Sequence, residues 1–396
     1  KYKMIKRILY TLLIMFPVLA SAQINTDRVM AIGRNALYFE DYVLSIQYFN
    51  QVINAKPYLS DPYFYRGLAK INLDDFQGAE SDCSEAIERN PFVVSAYQVR
   101  GLARIQQNNF AGAIEDYTKA LEFDPENIGV WHNMALCRIR QEDYKGAKND
   151  LDKLIAISPR YTKAYLMRGE VDLKQKDTLA AEKDFGKAIE IDRYDADTWA
   201  SRAILRLQQQ RYKDAEADFD HAIRLSTRNS GVYINRALAR YHQNNLRGAM
   251  SDYDIALDID PNNFIGHYNR GLLRAQVGDD NRAIQDFNFV IEMEPDNMMA
   301  IFNRGLLLDQ TGDYKGAIKD YSTVINEYPN FLLGYQYRAQ ARRKIGDVKG
   351  ADADEFKVLK AQLDKQNGVD PNKQTADNTE NNKTRKKSDK NMNNYR

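Results

Sequence analysis

An all-α chain built from ten stacked helix pairs is what this sequence predicts, on three observations. Residues 26–365 repeat with a period of 34 and no insertion or deletion. Two columns of that repeat hold small residues and a third is mostly proline. Each period carries two apolar helical faces separated by a polar break. A period of this length marks an architecture in which one helix pair cannot bury both of its faces alone, so each unit stacks on its neighbours.

The N-terminus comes first. Lys1 to Arg7 is basic, Ile8 to Leu19 is apolar, and Ala20-Ser21-Ala22 offers a small-residue cleavage site before Gln23. That pattern predicts a secretory signal peptide over 1–22, cleaved after Ala22. The apolar run is shorter than the roughly 20 residues a spanning helix needs, so no integral membrane span is expected in the mature chain. No cysteine follows the site, so a lipid anchor is not expected either.

The array follows, in units 26–59, 60–93, 94–127, 128–161, 162–195, 196–229, 230–263, 264–297, 298–331 and 332–365. Its first small column runs Gly33, Gly67, Gly101, Ala135, Gly169, Ala203, Ala237, Gly271, Gly305, Ala339. The second runs Ser45, Ala79, Ala113, Ala147, Ala181, Ala215, Ala249, Ala283, Ala317, Ala351. Small residues belong where two helices approach closely, and Phe49, Tyr117, Phe185, Phe219, Tyr253, Phe287 and Tyr321 supply the bulk that fills the gap. Pro57, Pro91, Pro125, Pro159, Pro261, Pro295 and Pro329 end second helices, because proline cannot continue a helix interior. Gly278, Gly312 and Gly346 stand just past first helices, where a left-handed cap is wanted. The last unit has Glu355 in the filling column, and its helix from Ala351 to Gln366, with Asp352, Lys357 and Lys360, is expected to face solvent as an end cap. The remainder, 366–396, is polar and Asn-rich and predicts a disordered tail.

These residues resemble a known family. Trp131-x2-Met134-Ala135-x2-Arg138, with Ala113-x3-Tyr117 and Pro125, is similar to the tetratricopeptide repeat pattern W-x2-L-G-x2-Y…A-x3-F…P. The resemblance implies a right-handed α-α superhelix whose first helices line a concave groove that binds other proteins. The Ser-Ala-Gln junction resembles that of exported proteins of Bacteroidota-like Gram-negative bacteria, which implies the periplasm.

One departure from the family pattern is systematic. Where the family has Leu before its Gly, this chain has Arg66, Arg100, Arg168, Arg202, Arg236, Arg270, Arg304 and Arg338. Sixteen residues later stand Asp82, Asp116, Asp184, Asp218, Asp252, Asp286, Asp320 and Asp354. The first unit lacks both and reads Ile32 and Tyr48, apolar together. That joint switch predicts structural ion pairs between the two helices of a unit, since a lone buried charge is costly. Unit four has Met134 opposite Asp150, with Arg138 and Arg168 as substitute partners.

By the same resemblance, the candidate partner-binding residues lie on the first helices. They are Phe64, Leu68, Leu102, Ile105, His132, Asn133, Leu136, Ile139, Asn235, Leu238, Tyr241, Tyr268, Asn269, Leu272, Phe302 and Asn303. One reading is an apolar groove for an extended segment or amphipathic helix; the other is that this stripe packs against neighbouring helices. The asparagines resemble those of a carboxylate clamp in chaperone-binding members, but of the matching lysines only Lys163 is present, so a chaperone tail is not expected.

Other classes find little support. Basic and acidic residues number 56 and 55, and loss of Lys1, Lys3, Lys6 and Arg7 leaves a slightly acidic chain with no nucleic-acid footprint. Cys83 and Cys137 read as small buried hydrophobes. His132, His221, His242 and His267 occupy different columns, and no phosphate loop, metal-ligand spacing or cofactor motif appears. The sequence therefore predicts a non-enzymatic scaffold of the bacterial cell envelope that holds a partner protein. The alternative is a glycan- or peptidoglycan-binding module, motivated by 25 tyrosines and the envelope address.

Overall fold

The computed structural model describes residues 25–226 and 228–367. The predicted signal peptide, Thr227 of the proline column and nearly all of the predicted tail lie outside the described residues. Within them the chain forms twenty α-helices and no strand, in ten successive hairpins from α1 (Thr26–Tyr38) and α2 (Tyr42–Ala55) to α19 (Leu332–Lys344) and α20 (Val348–Gln366). It divides into two compact units, Lys1–Arg202 and Ala203–Arg396, with the division inside α11 (Ala196–Gln208). Inside each unit successive helices pack on one another. No helix of the described residues is long and apolar enough to cross a membrane.

The local chemistry of each hairpin repeats with the period. Second helices begin at a side-chain cap: Asp41, Asp75, Asn109, Asp143, Asp177, Asn245, Asp313 and Asp347 each accept from the backbone N–H three residues on. Asn127, Asn229, Asn263 and Asn297 cap first helices in the same way. The turn between the helices uses one left-handed residue. Gly278, Gly312 and Gly346 have φ of +80°, +93° and +81°, as a left-handed cap requires. The same column holds Glu40, Asp74, Asn108, Glu142, Lys176, Gln210 and Asn244, all with φ between 59° and 65°. The turn is thus common to all ten hairpins, while glycine marks it in three.

The small columns meet the filling column in the core. A Cβ placed on Gly101 would stand 2.7 Å from Cε1 of Tyr117, so the ring fills the space that the missing side chain leaves. Phe49, Tyr117, Phe185, Phe219, Phe287 and Tyr321 are all essentially inaccessible. Cys83 and Cys137 are free and buried, and burial pushes their thiols up to about 12 and about 11, so neither is a reactive thiolate.

The last helix departs from the expected solvent-facing cap. It begins at Val348, and Val358 is buried against α19 while Phe356, Leu359 and Leu363 are exposed by 66%, 53% and 48%. Glu355 does face water, tied to Arg343 Nη2 at 2.7 Å. The charged residues occupy the flanks of the helix, and an apolar stripe occupies its outer face.

Candidate partner-binding face

What holds the first helices in place is a ladder of buried carboxylates. In the first of the two compact units Arg66 Nη2 donates to Asp82 Oδ1 at 2.5 Å and Nε to Oδ2 at 2.8 Å, and Lys70 Nζ adds a contact at 2.9 Å. Asp116 accepts from Arg100 Nη2 at 2.6 Å and from Arg104 Nη1 at 3.1 Å. Asp184 accepts two bonds from Arg168 at 2.7 and 2.8 Å. In the second unit Asp252 takes Arg236 and Arg240, Asp286 takes Arg270 and Arg274, Asp320 takes Arg304, and Asp354 takes Arg338 and Arg342. Asp218 is met by Arg206 at 2.8 Å, and Arg202, in the other unit, lies over the Trp199 ring.

The ladder reaches further than a pair within one hairpin. Seven of these arginines send their remaining Nη1 to the second helix of the preceding hairpin: Arg66 to Asn50, Arg100 to Ser84, Arg168 to Asp152, Arg236 to Asp220, Arg270 to Asp254, Arg304 to Asn288 and Arg338 to Ser322. Each such guanidinium therefore joins three helices, with planar fork geometry suited to a bidentate carboxylate on one edge and a single acceptor on the other. The second cation, four residues on, reaches back in the same way, as Arg104 to Glu80 and Arg240 to Glu216.

Unit four shows what happens without the first arginine. Asp150 is buried opposite Met134, with Arg138 Nε 2.7 Å from its Oδ2, while Arg168 is taken by Asp184 and Asp152. Burial raises the Asp150 carboxyl to about 6, against the opposing pull of Arg138.

On this frame the predicted site residues divide into two groups. Phe64, Ile105, Ile139, Tyr241, Tyr268 and Phe302 are partly buried and pack against core clusters. Asn303 Nδ2 donates to the Tyr268 hydroxyl at 3.2 Å, and Asn133 stands beside the buried Tyr117 hydroxyl. Those two amides serve contacts within the fold. Asn235 and Asn269 are half-buried. The leucine column is more open, with Leu102 and Leu272 exposed by 39% and 40%, and Leu68, Leu136 and Leu238 half-buried.

In the first unit His132, Leu136 and Ile139 line an open recess of about 450 Å³ with Arg140, Glu142, Tyr144, Met167, Glu170 and Lys174. Glu170 stands in the leucine column, and burial raises its carboxyl while Lys174 opposes the rise. His132 is held below its ordinary pKa by burial and by Lys163, so it is neutral at physiological pH, 3.3 Å from the Tyr161 hydroxyl.

In the second unit the first-helix face carries residues that column-by-column reading passes over. Ile265 and Leu333 are exposed by 49% and 43%, near the head of α15 (Phe264–Gln276) and α19. Their column reads Asp61, Ser95, Gly129 and Lys163 in earlier hairpins and turns apolar only at Ile265, Met299 and Leu333. The signal was a change along the column rather than its average. Among the described residues no group of three His, Cys, Asp or Glu side chains is placed to hold a metal ion.

Stacked helical hairpins with a 34-residue period define a class of repeat scaffold, and comparison with known families assigns it. Tetratricopeptide repeat models match 128–161, 162–195, 201–264 and 268–330, and a TPR repeat model matches 101–137. The chain belongs to the tetratricopeptide repeat family, whose members are generally non-catalytic scaffolds for protein interaction. Among solved structures, the C-terminal part of a TPR repeat-containing protein from Cytophaga hutchinsonii is similar, with 17% identity, 60% of this chain and 97% of that chain covered, and a TM-score of 0.50. A tetratricopeptide repeat protein from Parabacteroides merdae shares 21% identity over 63% of this chain and 98% of that one, with a TM-score of 0.49. Pseudomonas aeruginosa pilF shares 19% over 55% and 97%, with a TM-score of 0.46. The curated proteins give no match.

Proposed function

We propose that the protein is a non-enzymatic interaction scaffold of the bacterial cell envelope, exported to the periplasm of a Gram-negative bacterium, and that it binds a segment of a partner protein on its first-helix face. The observation that carries this reading is the exposed apolar group Ile265, Leu272 and Leu333 on the first helices of the second unit. Isolated exposed aliphatic residues are ordinary, but a group on one functional face of a repeat scaffold suits the apolar side of an amphipathic helix or extended segment. The export part rests on the basic, apolar and small-residue sequence of 1–22.

The test is crosslinking and co-purification from the envelope of the native host, comparing wild type with Leu272→Glu/Leu333→Glu. Both side chains are exposed, so helicity by circular dichroism should be unchanged while the captured partner is lost. Capture that survives at equal helicity places the site elsewhere. Retardation of the wild type in a polysaccharide gel, without any captured protein, would favour glycan binding.

A further inference from the structure

The two ends of the array expose apolar residues that match each other in the register used between inner hairpins. In the inner hairpins of either unit, three contacts tie a first helix to the preceding second helix. The arginine of Arg66, Arg100 or Arg236 meets a polar acceptor at Asn50, Ser84 or Asp220. Gln107 and Gln243, seven residues further on, reach the Phe76 and Tyr212 carbonyls at 3.5 and 3.4 Å. A large aliphatic residue late in the second helix packs against a small one early in the next first helix, as Leu257 does at Gly266 and Ile325 at Gly334.

At the ends of the chain the arginine place and its acceptor change together. Stepping by 34, the arginine becomes Ile32 and its acceptor becomes Phe356. The glutamine place holds Phe39 and the carbonyl place holds Val348, an apolar pairing like Leu73 with Tyr42, Val277 with Leu246 and Ile345 with Tyr314 inside the array. The late aliphatic residue is kept as Leu359. Ile32, Phe39, Val348, Phe356 and Leu359 are exposed by 37%, 77%, 52%, 66% and 53%. A repeat array that ends in water needs polar outer faces. Here both members of the arginine contact are apolar, at opposite ends of one chain.

We propose that these faces bind each other between copies: the last helix of one copy receives the first helix of a second, as if the second began the next hairpin. Ile32 of the second copy then meets Phe356, and its Phe39 meets Val348. Arg28, exposed in α1, takes the place that Gly266 and Gly334 fill in the inner hairpins and so arrives beside Leu359. The contact is head-to-tail, leaving a free end on each copy, so assembly continues past two chains into an open chain or a ring. This goes beyond the proposed scaffold function, because the first-helix face of the second unit takes no part in it.

Sedimentation velocity on the complete chain, from about 1 to about 100 µM, reads the association directly. Wild type should grow past two copies as concentration rises. Ile32→Asp and Phe356→Asp, both at exposed positions and checked for helicity by circular dichroism, should each weaken association by at least about tenfold. The decisive arm mixes the two variants in equal amounts. Each retains one intact end, so the mixture should form a two-chain complex and stop there. Three outcomes overturn the proposal: a wild type monomeric throughout, as when the chain's own apolar 8–19 segment covers an end; an Ile32→Asp variant that associates like wild type, which means last helices pair with each other; or a mixture that stays monomeric.

Discussion

Asp252→Ala should destabilise the array more than Asp252→Tyr combined with Arg236→Leu, although the second variant changes more atoms. Asp252 is 1% exposed and accepts from Arg236 Nε and Nη2 at 2.9 and 2.6 Å and from Arg240 Nη1 at 2.9 Å. Truncation to alanine removes all three bonds and leaves two guanidinium groups, 12% and 19% exposed, without their shared acceptor. Breaking a buried pair from one side typically costs about 3–5 kcal/mol. The double change removes the arginine as well and fills the site with apolar bulk, following the first hairpin, where Ile32 stands opposite Tyr48. Arg240 keeps Glu216 at 2.7 Å, and Asp220, 36% exposed at its side chain, can be hydrated once Arg236 is gone. Replacing both partners by apolar residues is often close to neutral, so the double change should cost less than about 2 kcal/mol. Because long repeat arrays need not melt as one unit, thermal melts should be joined by amide exchange read locally in α13 (Ser230–His242) and α14 (Leu246–Ile259). If the double variant melts lower or exchanges faster than Asp252→Ala, the ladder is not a set of coupled pairs.

Three further outcomes follow from the same geometry. Asp150→Asn should stabilise the protein at pH 7 but not at pH 4, as thermal melts at the two values would show. Burial pushes the folded carboxyl up to about 6 from the ordinary 3.8, so ionisation costs the fold nothing below about 3.8 and a rising amount up to about 6. That rise of roughly two pH units corresponds to at most about 3 kcal/mol. Lys176→Gly should stabilise by about 1 kcal/mol in a denaturant titration, since Lys176 holds φ at 65°, while Gly312→Ala at φ +93° should destabilise by a similar amount with no steric clash. Deleting 230–263 should preserve a cooperative helical melt by circular dichroism, because Arg270 then finds Asp220 where Arg236 stood; deleting 230–246 alone should not, since it leaves a second helix without its first.

The fold was legible because the period repeats the same physical demand ten times. Small residues at the helix crossing, a ring to fill the gap and proline after the second helix need no tertiary information to be seen in phase. The arginine–aspartate coupling was legible for a different reason: the first hairpin changes both members at once, to Ile32 and Tyr48. The third partner of each arginine was not, because Asn50, Ser84, Asp152 and Asn288 differ in chemistry and share only the ability to accept a hydrogen bond. The left-handed turn showed only at Gly278, Gly312 and Gly346, since elsewhere the backbone imposes the same φ on Glu, Lys or Gln and the sequence carries no mark of it.

The binding face was harder to read, for a reason built into solenoids. A first-helix residue such as Phe302 is apolar whether it faces a partner or fills the space beside Tyr321, and pattern alone does not separate the two. What separates them is change along a column. Where all hairpins share a residue type, the type serves the stacking that all hairpins share. Where the type changes in a few neighbouring hairpins, the change serves something local. Ile265 and Leu333 are of this second kind, as are Glu170 within the leucine column and Phe356 in the column of arginine acceptors. Each stands on exposed surface or lines the open recess, where stacking places no demand on it. In a chain of near-identical units, function is therefore written in the positions that break the repeat, and the uniform columns describe the frame that holds them.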